Sequence, residues 1–287
     1  MCIRDRSRAI RVALGLLLLQ CMSVAVALPF VNESLTYRAF YQGIFSAQKL
    51  IGIADVDWET FSIDAYTTGE PAIETQMTVS SEAYPFVETL YPFRLVYRSL
   101  TTPGPVRSIA YEKYDSTEQH GRDLTWLDEK SGVALRFREG HIPKKKVAGQ
   151  LPRALENWGS QQQDYQYYAR ARHKSLPGMV DQVSLLQRIR EAALSVGARF
   201  KVPVTDGKRW YVYKILVVSK EPLAVANREW NALKVRFTGY RVEDGKKIRD
   251  HKPLWVWLDN TPRRTPLRFE YSNAFGRFVI NLQSIDT

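Results

Sequence analysis

Ser46 and Lys49 stand at the spacing where a lysine amine can activate a serine nucleophile, and Lys130-Ser131-Gly132 could supply a further element of such a site. That chemistry requires the serine at a helix N-terminus. Here it lies between strand signals, and no Ser-x-Asn element intervenes in the right order, so a chance match is the expectation. His120, close in sequence to Asp115, Glu118 and Asp123, is the best acid–base candidate; with no nucleophile brought to it, it reads as an ordinary loop residue. Asp55, Asp57 and Glu59 alternate and would share one strand face, which could hold a hard cation. A solvated face is the plainer reading, because no glycine-containing ligand loop accompanies them. His120, His141, His173 and His251 lack zinc-ligand spacing, and no Gly-x-Ser-x-Gly, phosphate loop or dinucleotide fingerprint is found. No catalytic residue, metal or cofactor is therefore expected, and the chain reads as leaning away from an enzyme.

Binding chemistry is better represented. Arg136 to Lys174 holds nine Lys/Arg against three acids. Lys144, Lys145, Lys146, Arg153, Arg170, Arg172 and Lys174, interleaved with Tyr165, Tyr167 and Tyr168, would attract an anionic surface. The ligand-binding candidates are Lys144, Lys145, Lys146, Arg170, Arg172, Lys174, Tyr165, Tyr167 and Tyr168. A flexible, solvated loop is the competing reading, since charge runs usually are that.

The N-terminus sets the compartment. Met1-Cys2-Ile3-Arg4-Asp5-Arg6 looks like a translated sequencing adapter, so nothing is built on Cys2. Arg8 and Arg11, the apolar run Val12 to Leu19 and an Ala25-x-Ala27 site read as a secretory signal peptide over 1–27. An uncleaved membrane anchor, or lipidation of Cys21, is the alternative. Cleavage removes both cysteines, leaving no disulfide, and lowers the formal charge from +11 to +8.

The mature chain, 28–287, reads as one β-rich domain with a basic insertion at about 139–177. Strand signals run from Leu35 to Tyr41, Ile51 to Ile53, Val56 to Tyr66, Ile73 to Val79, Leu90 to Arg98, Val106 to Tyr114 and Val133 to Phe137. After the insertion, Asp206-Gly207 marks a hairpin between Phe200 to Val204 and Trp210 to Val218. Leu254-Trp255-Val256-Trp257-Leu258 is apolar on both faces and should be a central strand covered on both sides. One segment differs. Met179 to Val196 has helical periodicity: Val183, Leu185, Leu186, Ile189, Ala192, Ala193 and Val196 fall on one half of the wheel, and Asp181, Ser184, Gln187, Arg188 and Glu191 on the other. Asp181 is a natural N-cap and Gly197 a natural C′ residue. Short connections make the pairing mostly antiparallel. The expected fold is mainly β: a strongly curved antiparallel sheet or barrel with one amphipathic helix in its concavity or mouth, as plug or as cavity wall.

The stretch Asp181-x-x-Ser184 running to Arg190 resembles the Asp-x-x-Ser-x-x-x-x-x-Arg helix of an exported bacterial family known as domain of unknown function 3108. Leu254-Trp255-Val256-Trp257-Leu258, with Arg263-Arg264 and Pro266-Leu267-Arg268-Phe269-Glu270, resembles the same family, as does Leu35-x-Tyr37 with Tyr41-x-Gly43-Ile44. The likeness spans roughly Ser34 to Ser284 and departs from the family in the long basic Gln/Tyr insertion. It implies a secreted, β-rich envelope protein of mainly Gram-negative bacteria, and it carries over no catalytic residue. The expected function is a non-enzymatic periplasmic protein. Its partner would be an anionic lipid, lipopolysaccharide, a wall polymer or an envelope protein, and not nucleic acid. An envelope hydrolase and a ligand-free structural assembly factor are the alternatives.

Overall fold

Alternation with period two buries one face of each strand, and it organises almost the whole chain. In the computed structural model, which describes residues 31–63, 71–115, 122–140, 155, 158, 166–243, 246–250 and 252–286, sixteen strands form one sheet. The first half contains β1 (Glu33–Gly43), β2 (Ile51–Ile63), β3 (Ala72–Ser80), β4 (Arg94–Thr101), β5 (Ser108–Asp115), β6 (Asp123–Asp128), β7 (Val133–Gly140) and β8 (Gln166–Lys174). The second contains β9 (Val180–Asp181), β10 (Arg199–Thr205), β11 (Trp210–Val225), β12 (Arg228–Glu243), β13 (Lys246–Asp250), β14 (Leu254–Asp259), β15 (Pro266–Ser272) and β16 (Gly276–Asp286). Neighbours run β8-β7-β6-β5-β4-β3-β2-β1-β16-β15-β14-β12-β11-β10-β9, with β13 also on β12. Pairing is antiparallel except for the short β9–β10 contact, and the sheet stays open between β8 and β9.

Two short α-helices join it: α1 (Pro85–Leu90) and α2 (Ser184–Arg190). Pro85, which interrupts the strand pattern, is the first residue of α1, where its missing N–H is harmless. The concave face carries Leu35, Tyr37, Val56, Trp58, Val235, Phe237, Val256 and Leu282, packed around α2 in the main core. A second cluster, Ala72, Leu100, Ala110, Leu124 and Phe137 with Leu155 and Trp158, lies on the opposite face, since Leu100 and Arg98 alternate with the helix-facing Ser99. Leu155 and Trp158 of the basic insertion are thus anchored in a core.

The expected helix over Met179 to Val196 is shorter. Val180–Asp181 pairs with Val204 and Thr205 as a strand, and the helix ends at Arg190 so that the chain can turn back into β10. Val196 is exposed, while Gly197 has φ +89° in that turn rather than at a helix end. The reading of the basic stretch as a flexible, solvated loop does not hold for its C-terminal part. Gln166–Lys174 is an edge strand on β7, which needs hydrogen bonds from one neighbour only and tolerates charge. β14 is central as read, but its second face is covered by side chains rather than by another layer. The Lys234 ammonium sits 5.3 Å and 5.0 Å from the Trp255 and Trp257 rings, and Trp257 Nε1 donates to Glu221 at 2.8 Å.

Candidate functional site

Ser184, Gln187 and Arg190 of α2 are as buried as its apolar residues, and with Asp181 they lock the helix into one end of the concavity. Asp181 Oδ1 accepts the amides of Val183 (2.8 Å) and Ser184 (3.0 Å), but it does so from β9, two residues ahead of Val183, which holds the N-cap position expected for Asp181. Its Oδ2 accepts the hydroxyls of Ser99 (2.6 Å), Ser108 (2.6 Å) and Ser184 (2.7 Å), tying the helix start to β4 and β5. Gln187 donates to Thr75 on β3. Arg190 holds Glu33 of β1 at 2.7 Å and 2.9 Å, and donates to the Arg263 carbonyl between β14 and β15. Four strands and the β14–β15 connection are therefore gripped by four side chains of one short segment.

The other flank of α2 is not packed out. Val183, Leu185 and Leu186 face Tyr37, Trp58, Met77, Leu254, Phe269 and Ile280 across a half-open apolar cleft of about 290 Å³. Gln182 lines it too, and also lines an adjoining polar cleft of about 660 Å³ between β4–β7 and the β10–β11 turn. Cations in this second cleft are Lys113, Arg136, Arg138 and Lys208; the acids are Asp115, Asp123 and Asp206. Arg136 is paired with Asp123 at 2.6 Å. The Tyr97 and Tyr111 rings, 6.5 Å apart and nearly parallel, form the seam between the two spaces, with the Lys113 ammonium 5.4 Å from Tyr97.

The Tyr111 hydroxyl is buried and has no partner among the described residues. Burial, reinforced by the charges of Asp181 and other nearby groups, pushes its ionisation well above the ordinary tyrosine range. The β10–β11 turn closes one wall. Gly207 has φ +81°, and a Cβ there would stand 2.2 Å from Thr125 Oγ1. The turn needs glycine both for its conformation and for its approach to β6.

The residues singled out by sequence fall elsewhere. Lys144, Lys145, Lys146, Arg153 and Tyr165 lie outside the described residues, as do His120, His141, His251, Glu118 and the N-terminal segment. Tyr167, Tyr168 and Arg170 belong to β8; Arg172 and Lys174 of the same edge strand are exposed. The cations that reach the cleft, Lys113, Arg136, Arg138 and Lys208, come from two strands and a turn, and only Arg136 and Arg138 border the predicted basic segment. Ser46 Oγ is committed to its own turn, accepting from Gly43 N and hydrogen-bonding the carbonyls of Gly43 and Lys49. Lys130-Ser131-Gly132 connects β6 and β7 at the opposite end of the sheet. Asp55 pairs with Arg38 (3.2 Å) and accepts from Tyr84 (2.7 Å), while Asp57 and Glu59 are exposed. Among the described residues no cluster of three metal-ligating side chains occurs.

The pattern of the family described as "Protein of unknown function (DUF3108)" matches residues 36–283. Among curated proteins, none matches the sequence. Of solved structures, the β-barrel-like protein of domain of unknown function DUF1849 from Brucella abortus is similar with a TM-score of 0.50 and 9% identity, over 89% of this chain and 97% of that one. The hypothetical lipoprotein YmcC from Escherichia coli aligns with a TM-score of 0.31 and 10% identity, over 99% of this chain and 96% of that one. The first likeness bears on fold alone. No helix among the described residues is long and apolar enough to cross a membrane.

Proposed function

We propose that this chain, which belongs to the DUF3108 family, is an exported envelope protein that binds an anionic amphiphile. Its hydrocarbon part fills the apolar cleft beside α2, and its charged end meets Lys113, Arg136, Arg138 and Lys208. The observation that carries this reading is the apolar cleft of about 290 Å³, which opens at Gln182 beside a polar one lined by four cations and three acids. Its size is near the lower bound of ligand sites, about 300–1,000 Å³. A chain of about eight carbons gains about 6 kcal/mol at about 0.8 kcal/mol per buried methylene. The Tyr111 hydroxyl at the seam is a donor ready for a headgroup oxygen. Arg8, Arg11, Val12 to Leu19 and Ala25-x-Ala27 support export to the periplasm.

Displacement of a dansylated undecanoate by unlabelled fatty acids tests this. Saturable binding at one site is expected. Ile280→Trp, at a half-buried wall of the cleft, should weaken it at least about tenfold, about 1.4 kcal/mol. Lys113→Glu should weaken it by about three- to tenfold while leaving the apolar wall intact. No saturable binding, or equal binding by both variants, would refute the reading.

A further inference from the structure

The strand register places three connections at one end of the sheet. Gly43 pairs with Gly276, Tyr41 with Ile51, and Ser80 with both Asp55 and Arg94. The β1–β2 turn, the β15–β16 turn and α1 are therefore neighbours, opposite the end where Arg190 and Asp181 lock α2. Ile44, Phe45, Phe86, Leu90, Tyr91 and Phe275 on these connections are 53% to 72% exposed. The first two are physically joined, since Ile44 N and Tyr41 Oη both donate to the Phe275 carbonyl. Tyr91 also lines the polar cleft, so this rim borders its opening. Lys49, Lys113 and Lys208, all exposed, lie on the turns and strand ends around it.

We infer that this rim is a docking surface for an anionic phospholipid bilayer, set so that the cleft opens toward the headgroups. The inference goes beyond the amphiphile reading and rests on a separate observation. Large apolar and aromatic side chains projecting singly from three turns suit insertion at a membrane interface, where aromatic rings favour the headgroup level. A protein-binding core would need them packed into one contiguous face. Exposed lysines beside the wedge complete the match, because they are drawn to anionic lipid and each can stay in water while the apolar tips enter.

Flotation of the full chain with vesicles of phosphatidylglycerol and phosphatidylethanolamine tests this, with phosphatidylcholine vesicles alongside. Flotation with the anionic vesicles is expected, falling at least fivefold on phosphatidylcholine and from about 0.1 M to about 0.5 M salt. Phe45→Ser with Phe275→Ser should reduce it at least fivefold with unchanged circular dichroism, as both side chains are exposed. Lys49→Glu with Lys208→Glu should reduce binding to anionic vesicles only. Ile280→Trp should float like the native chain, which separates failure of this rim from failure of the cleft. Absence of flotation, or equal flotation by the Phe45/Phe275 variant, would overturn the inference. So would a sedimentation change from dimer to monomer in that variant, which would make a second copy the occupant.

Discussion

Asp181 illustrates how a family-marking residue can be architectural. Its carboxylate receives five hydrogen bonds from two amides and three hydroxyls, in a fully buried position. Asp181→Ala leaves two amides and three buried hydroxyls without their acceptor; a loss of about 3–5 kcal/mol in urea unfolding is expected. Tyr111 is the contrasting case. Its hydroxyl has no partner among the described residues, so Tyr111→Phe should leave stability unchanged or raise it. Because folding raises the Tyr111 pKa above the ordinary value of 10, its contribution is fully present below that value and is lost as pH rises beyond it. The Phe variant should therefore show a shallower alkaline fall in unfolding free energy above about pH 10. If Tyr111 donates to a headgroup, the same substitution weakens probe binding, a readout that a purely structural role would not move.

At the scale of elements, α2 was legible as an amphipathic helix because Val183, Leu186 and Ile189 repeat at helical spacing. Burial of Asp181, Ser184, Gln187 and Arg190 was not, because their partners Ser99, Ser108, Thr75 and Glu33 lie 73 to 157 residues away. A wheel places polar residues toward water unless such partners are known. Turn chemistry behaved likewise. Asp206-Gly207 announces its hairpin, whereas the β11–β12 hairpin turns at Ala226 and Asn227 (φ +52° and +57°) without a glycine, and β11 runs past the expected Val218 to Val225. Gly207→Val should cost about 2–4 kcal/mol, because φ +81° disfavours it and the side chain would meet Thr125. Thr125→Ala in the same chain should recover part of that loss, measured by thermal unfolding, since the clash but not the backbone strain is removed.

For the whole molecule, the sheet is a cup plugged at one end by α2 and open at the other, with the helix serving both as plug and as cleft wall. Local sequence density drew attention to Lys144, Lys145 and Lys146, whereas Lys113, Arg136, Arg138 and Lys208 converge only after the sheet curls and brings the β10–β11 turn against β6 and β7. The apolar lining is likewise contributed by single residues from many strands, each indistinguishable in sequence from ordinary core. Native mass spectrometry of the chain purified without detergent, followed by organic extraction, tests amphiphile binding most directly. One bound amphiphile per chain, absent from Ile280→Trp, is the expected result. A native chain that carries nothing and takes up no fatty acid on addition would contradict it.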